Sequence, residues 1–209
     1  MRCYRFAAGL IGGCLLAGAL PAQTTSSAAP CEIHFYPAER LHSVGEDIDA
    51  VHKLDQDLKD YDLAAARPLG WLDIDRQREL VDGSGLASQL GYPAGTVTLS
   101  PTPLKRSQAL AAGPHVAPAP GCLVELMLPQ LLMERGGLSA RSLRLFGVVR
   151  KYQEGRLAAS YAGFAVGALP GFKLRVPTDA PAATTLVEQA YVQAVRALVA
   201  QSLTRGKPQ

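Results

Sequence analysis

Ser84, in Asp82-Gly83-Ser84-Gly85, is the residue most like a nucleophile, because flanking glycines can expose a hydroxyl on a tight turn. The Gly-x-Ser-x-Gly elbow needs glycine two positions before the serine, where this chain has Asp82. Gly85 reads instead as helix punctuation, and no catalytic role is expected for Ser84. Gly83-Ser84-Gly85 also lacks the lysine and the spacing of either nucleotide-binding fingerprint. Four histidines, His34, His42, His52 and His115, could move protons near neutral pH. His52 lies between Asp49 and Asp55, a set that could hold a metal only if one helix face presented all three. At about 100° per residue they spread over about 120°, away from the apolar stripe, and there is no His-x-x-x-His pair. A solvated face is the expectation. His34 alternates with Ile33 and Phe35, so it should face solvent or a covering loop. No catalytic residue, no cofactor-binding residue and no metal ligand is assigned.

The cysteines carry more information. Cys3 and Cys14 fall in an N-terminal stretch that reads as an export leader. Cys31 and Cys122 remain in the mature chain. Two cysteines outside the cytosol read as one disulfide. Without clustered histidines they make no zinc site, and with no Cys-x-x-Cys and no adjacent base they do not look reactive. Each opens a strand-like run. Cys31, Ile33 and Phe35 share a face of Cys31 to Tyr36, and Cys122 to Leu128 is nearly continuous in apolar residues. The bridge would tie the first strand to a central one, closing a long loop whose entropy is worth ~4–5 kcal/mol in the chain-entropy treatment.

The elements around these residues follow from spacing. Ile48, Val51, Leu54, Leu58, Tyr61 and Ala65 recur at helical intervals, with acidic residues in the first turn and Pro68 as the stop. Trp71-Leu72-Asp73-Ile74 reads as a short strand, followed by a helix over Arg76 to Val81 capped by Asp75. Gly83 and Gly85 break that helix before a second piece, Leu86 to Leu90, which Gly91 ends. Residues 100–120, with five prolines, read as an extended surface connection, with a partner-binding strip as the sharper alternative. Leu123 to Met133, Leu143 to Arg150 and Leu157 to Val166 form an antiparallel meander. Arg135-Gly136-Gly137 and Gln153-Glu154-Gly155 supply its turns. A final helix begins at a Thr185/Glu188 capping box and runs to about Leu203. Its apolar face is Val187, Ala190, Tyr191, Ala194, Val195, Leu198 and Val199. The fold class is therefore α+β: a mixed sheet with a C-terminal three-strand antiparallel meander, helices packed on it, and a final C-terminal helix.

The domain organisation expected is a signal peptide over 1–22, a flexible linker over 23–30, one α+β domain over 31–203 and a tail over 204–209. The leader has Arg2 and Arg5, then about 15 uncharged residues from Phe6 to Leu20, too few to span a bilayer, and a small-residue exit with cleavage after Ala22. Cleavage near Ala29 is an alternative. Leu10-Ile11-Gly12-Gly13-Cys14 resembles a lipobox, although the apolar run continues past it. The chain is periplasmic or secreted on this reading, and an outer-membrane lipoprotein if Cys14 is lipidated. The net charge of +3 owes much to the leader's two arginines, and no block of basic residues exists. No nucleic-acid partner is expected, and the membrane is a partner only through Cys14. Glu46, Asp47, Asp49, Asp55, Asp57, Asp60 and Asp62 are interleaved with Lys53 and Lys59. They read as a solubilising surface, with an electrostatic docking face as the alternative.

In element order the chain resembles the small α+β domain shared by three envelope proteins. These are the N-terminal region of the Tol-Pal propeller protein, the curli-secretion lipoprotein and the outer-membrane lipoprotein activators of penicillin-binding proteins. The stretch that carries the resemblance is Trp71-Leu72-Asp73-Ile74-Asp75-Arg76-Gln77-Arg78-Glu79-Leu80, an apolar strand running into an Asp-Arg-x-Arg helix start, together with the layout of residues 122–203. The resemblance implies an envelope protein that works by binding other proteins and has no catalytic residues to carry over. The function expected is thus an exported, non-catalytic, protein-binding or assembly module of the cell envelope. Two alternatives stand beside it: a periplasmic carrier of a small apolar ligand between sheet and final helix, and a hydrolase with a scattered site.

Overall fold

The longest strands carry their own turn instruction. β6 (Ser139–Gln153) and β7 (Arg156–Ala168) are joined by Glu154 and Gly155, both at positive φ (51° and 75°). That is the backbone a two-residue hairpin needs to match strand twist. β5 (Cys122–Gly136) pairs antiparallel with β6, so the expected meander is present, with longer strands than the apolar runs alone marked. The structure, a computed structural model, describes residues 30–44, 68–69, 72–117, 121–136, 139–172 and 180–208. The leader, nearly all of the linker and the helix expected over 48–65 lie outside these residues, as do Asp49, His52, Asp55 and Trp71.

On its other side β5 meets two short parallel strands end to end. β1 (Glu32–Tyr36) runs along residues 123–127 and β2 (Leu41–Val44) along residues 131–134. The gap between them faces a β-bulge, because the β5–β6 register jumps from Met127 to Gln130. β3 (Pro68–Leu69) pairs with β2, and β4 (Thr96–Leu99) lies parallel to β1. β8 (Lys207–Pro208) touches β7 only at Ala159 and Ser160. The sheet is mixed and the fold α+β, as the sequence pattern predicts. β2, β3, β4 and β8 are additions to it.

One face of the sheet carries helices. α1 (Ile74–Asp82) and α2 (Leu86–Gln89) pack there beside the final helix, α4 (Ala180–Arg205), whose 26 residues span about 39 Å. All seven residues of the predicted α4 stripe are buried, against Val124, Leu126, Leu143, Leu145 and Val149 of the sheet. Close approach requires small residues below it. A β-carbon on Gly167 would overlap the Ala190 backbone carbonyl, and one on Gly147 would overlap Leu198. The Gly- and Ala-rich composition of β7 is therefore the imprint of a helix lying on it.

Three local expectations are corrected. Residues 72–74 are not a strand: Ile74 already begins α1, and the cap is Asp73, not Asp75, its carboxylate accepting from the Arg76 amide at 2.8 Å. The Thr185/Glu188 capping box does not start α4. Helix begins at Ala180, Thr185 lies inside it donating to the Pro181 carbonyl, and Glu188 is held by Arg76. The segment 100–120 is not wholly extended, since α3 (Arg106–Leu110) interrupts it and buries Ala109 under the opposite face of the sheet.

Candidate functional site

Cys31 and Cys122 sit one residue outside the paired run of β1 and β5, where parallel in-register strands bring their Cα atoms to 4.6 Å. They are disulfide-bonded, closing a separation of 91 residues. Cys31 is buried in the main core, so the bond is an internal tie between the first strand and the central one.

The Asp-Arg-x-Arg stretch is also an anchor. Arg76 donates to both carboxylate oxygens of Glu188 at 2.7 and 2.9 Å and to Glu79 at 2.7 Å, clamping α1 to α4. Those bonds, Glu188's first, push its pKa up. Gln77 is fully buried. Its amide accepts from the Ala38 N–H at 2.9 Å and donates to the carbonyls of Ala38 and Leu72 at 2.8 and 2.9 Å, under the buried Tyr191 hydroxyl. One side chain thus satisfies the chain leaving β1. Ser84 donates its hydroxyl to the Val81 carbonyl at 2.7 Å, an ordinary helix-end contact. His34 lies 3.7 Å from Glu32 on the other strand face from Ile33. Among the described residues no group of three or more His, Cys, Asp or Glu is arranged to hold a metal, and no helix is long and apolar enough to cross a membrane.

The opposite, outer face of the sheet is built differently. Its apolar patch is small: Tyr36, Met127, Phe146 and Val148 under Ala109 and Leu104. Next to it lies a polar cluster that sequence reasoning missed. Glu125 on β5 and Arg150 on β6 are directly opposite in register and both buried. Glu125 accepts from the His115 N–H at 2.6 Å, and Arg150 donates to the Gly113 carbonyl at 2.9 Å, so both side chains hold down the segment 113–115. Glu125 Oε2 has no partner. Burial, with Glu125 adding to it, pushes the Tyr36 phenol up to about 12. Burial and then Glu125 also push Tyr152 up, against an opposing pull from Arg150. The available signal was a charged residue at the same depth of two otherwise apolar neighbouring strands.

Farther along the same face the cover ends. From Tyr161 to Ala168, among the described residues, no strand lies beyond β7. Ala162 and Val166 are exposed on its outer face, Val166 to 49%, and Phe164 between them is half-buried against Phe146 and Arg144. From Leu157 to Leu169 there is no charged residue and no proline. Natural edge strands are ordinarily protected by such residues.

Two of the recesses among the described residues lie against the sheet. One, of about 210 Å³, opens between the inner sheet face and the end of α4, lined by Tyr92, Val149, Lys151, Tyr161 and Leu203 among others. Lys151 lies over the Tyr92 ring at 5.0 Å. The other, of about 510 Å³, lies on the outer side where β1 gives way to β2.

No family model and no curated protein matches the chain. Among solved structures, the chain is similar to protein XCC0632 from Xanthomonas campestris, a DUF330 protein, at 12% identity and a TM-score of 0.44 over 83% of this chain and 84% of that one. It is also similar to the hypothetical protein CT253 from Chlamydia trachomatis, at 13% identity and a TM-score of 0.30 over 85% and 95%. At these levels the likeness leaves function to be argued from this chain's own residues.

Proposed function

We propose that the protein is an exported, non-catalytic protein-binding module of the cell envelope, and that it takes an extended segment of its partner onto the free edge of β7. The observation that carries this reading is the uncharged edge from Tyr161 to Gly167, beyond which no strand lies among the described residues; at its end the Ala168 N–H donates to the Gln193 side chain at 3.1 Å. An edge strand presents a row of backbone donors and acceptors that another strand completes, while alternate side chains choose the sequence. Ala162, Phe164 and Val166 supply an apolar strip for that choice. The Cys31–Cys122 bond supports an oxidising compartment, in keeping with a periplasmic or secreted location, or with the outer membrane if Cys14 is lipidated.

The test is affinity capture from envelope extract with wild-type protein and with Val166→Lys and Ala162→Lys, which place a charge on the strip. A partner retained by wild type and lost from both variants supports the reading. A partner retained equally by all three overturns it.

A second reading has its own observation. The recess of about 210 Å³ between sheet and α4 is where a carrier would hold a small apolar ligand, and cavities of about 150 Å³ with apolar walls take up benzene-sized molecules. Organic extraction of purified protein followed by mass spectrometry would find a stoichiometric small molecule if carriage is the function, and none if it is not.

A further inference from the structure

The cleft where β1 gives way to β2 has the chemistry of an anion site. It is lined by Arg40 and His42 from the β1–β2 junction, by Leu104, Lys105 and Arg106 from the start of α3, and by Gln130 from the β5 bulge. The bulge is what opens it. The skipped register at Leu128 and Pro129 places Gln130 opposite Phe146, on the outer face, where the gap between β1 and β2 leaves no strand alongside.

Charge and hydrogen bonding there are both incomplete. Three cations line the cleft against one carboxylate, Glu39, which is already taken by Arg40 at 3.2 Å. Among the described residues neither Lys105 nor Arg106 has a carboxylate within ion-pair distance. The Arg106 guanidinium is held in place over the Phe146 ring at 4.3 Å, which leaves its edge free to donate. Two polar atoms at the cleft, His42 Nδ1 and Gln130 Oε1, are buried with no hydrogen-bond partner. What marks the cleft for an anion is its charge: Lys105 and Arg106 line it without a carboxylate partner among the described residues.

We propose that this cleft binds a phosphate group. An arginine fork and a lysine point charge together suit a phosphate that carries several acceptor oxygens. The volume of about 510 Å³ leaves room for what the phosphate is attached to. The ligand is either a soluble phosphate ester or the headgroup of an anionic lipid. The site adjoins the β7 strip through Phe146 but does not depend on the protein-binding reading.

Titration of the mature chain, followed by NMR amide shifts, tests it with three probes: inorganic phosphate, glycerol phosphate, and phosphatidylglycerol vesicles set against phosphatidylcholine vesicles. The expected result is saturable shifts confined to residues 39–42, 103–108 and 129–130 with at least one phosphate probe. Lys105→Gln with Arg106→Gln should weaken that binding by at least about tenfold, since each charge-assisted bond is worth about 1.5–3 kcal/mol. Lys151→Gln, across the sheet, should leave it unchanged. Saturation with both soluble probes identifies a phosphate ester, and saturation with phosphatidylglycerol vesicles alone identifies a lipid headgroup. If the double variant does not fold, Lys105→Gln alone changes only an exposed side chain and should still weaken binding. The proposal is overturned if no phosphate probe saturates, if the shifts fall elsewhere, or if the substitutions at 105 and 106 leave affinity unchanged.

Discussion

The two faces of the sheet bury side chains by opposite means. The inner face is closed by one long helix that glycines allow to lie almost on the strands, and the fully buried amide of Gln77 has all its bonds made, while Arg78 Nε and Gln89 Oε1 on the shorter helices do not. The outer face is roofed by a short helix and a loop. It buries a carboxylate and a guanidinium in place of leucines, leaves Glu125 Oε2 and Gln130 Oε1 unpaired, and runs to a β7 edge beyond which, among the described residues, no strand lies from Tyr161 to Gly167. The first arrangement spends its sequence on stability. The second buries two charged groups and sets cations without carboxylate partners beside a cleft, which gives it the means to bind something else. Substitutions on the two faces should therefore separate stability from recognition.

The largest stability effect should come from the inner tie. Cys31→Ser with Cys122→Ser should cost about 3–5 kcal/mol in urea unfolding, most of it from the loop the bond closes in the unfolded chain. Gln77→Leu comes next, at about 2–4 kcal/mol, because the Ala38 N–H and two carbonyls lose their partner in a dry site. Gly167→Ala should cost about 1–3 kcal/mol, as α4 must lift off β7. On the outer face, Val166→Lys should change stability by less than about 0.5 kcal/mol while abolishing partner capture. A stability loss there as large as at Gln77 would break the contrast.

The outer face also has a titration of its own. A phenol whose folded pKa is raised binds its proton more tightly when folded. Its contribution is present below the unfolded value of about 10 and is lost as pH rises toward about 12. Unfolding free energy should therefore fall across that window, and Tyr36→Phe should flatten the fall. An unchanged slope in the variant would remove Tyr36 from the account.

How far the sequence foretold this depends on how each element is encoded. The meander and α4 were legible because alternation and three-four spacing persist over ten or more residues, and because Glu154-Gly155 has few backbone options. β4 is four residues of Thr-Val-Thr-Leu, too short for periodicity to speak, and β3 is two. Asp73 and Asp75 are equally good caps by type, and only packing of Leu72 decides between them. The Cys31–Cys122 bond was legible by elimination. The cleft was not, because Arg40, Lys105, Arg106 and Gln130 come from three separate stretches that meet only where β5 bulges.

The claim on which the rest turns is that the β7 edge is where the partner docks. Amide hydrogen exchange on residues 161–168, measured with and without the captured partner, tests it most directly. The account predicts rapid exchange at the edge-facing amides of the free protein, apart from Ala168, which donates to Gln193, and strong protection in the complex, with β5 unchanged. Protection appearing elsewhere while β7 exchanges as before would contradict it.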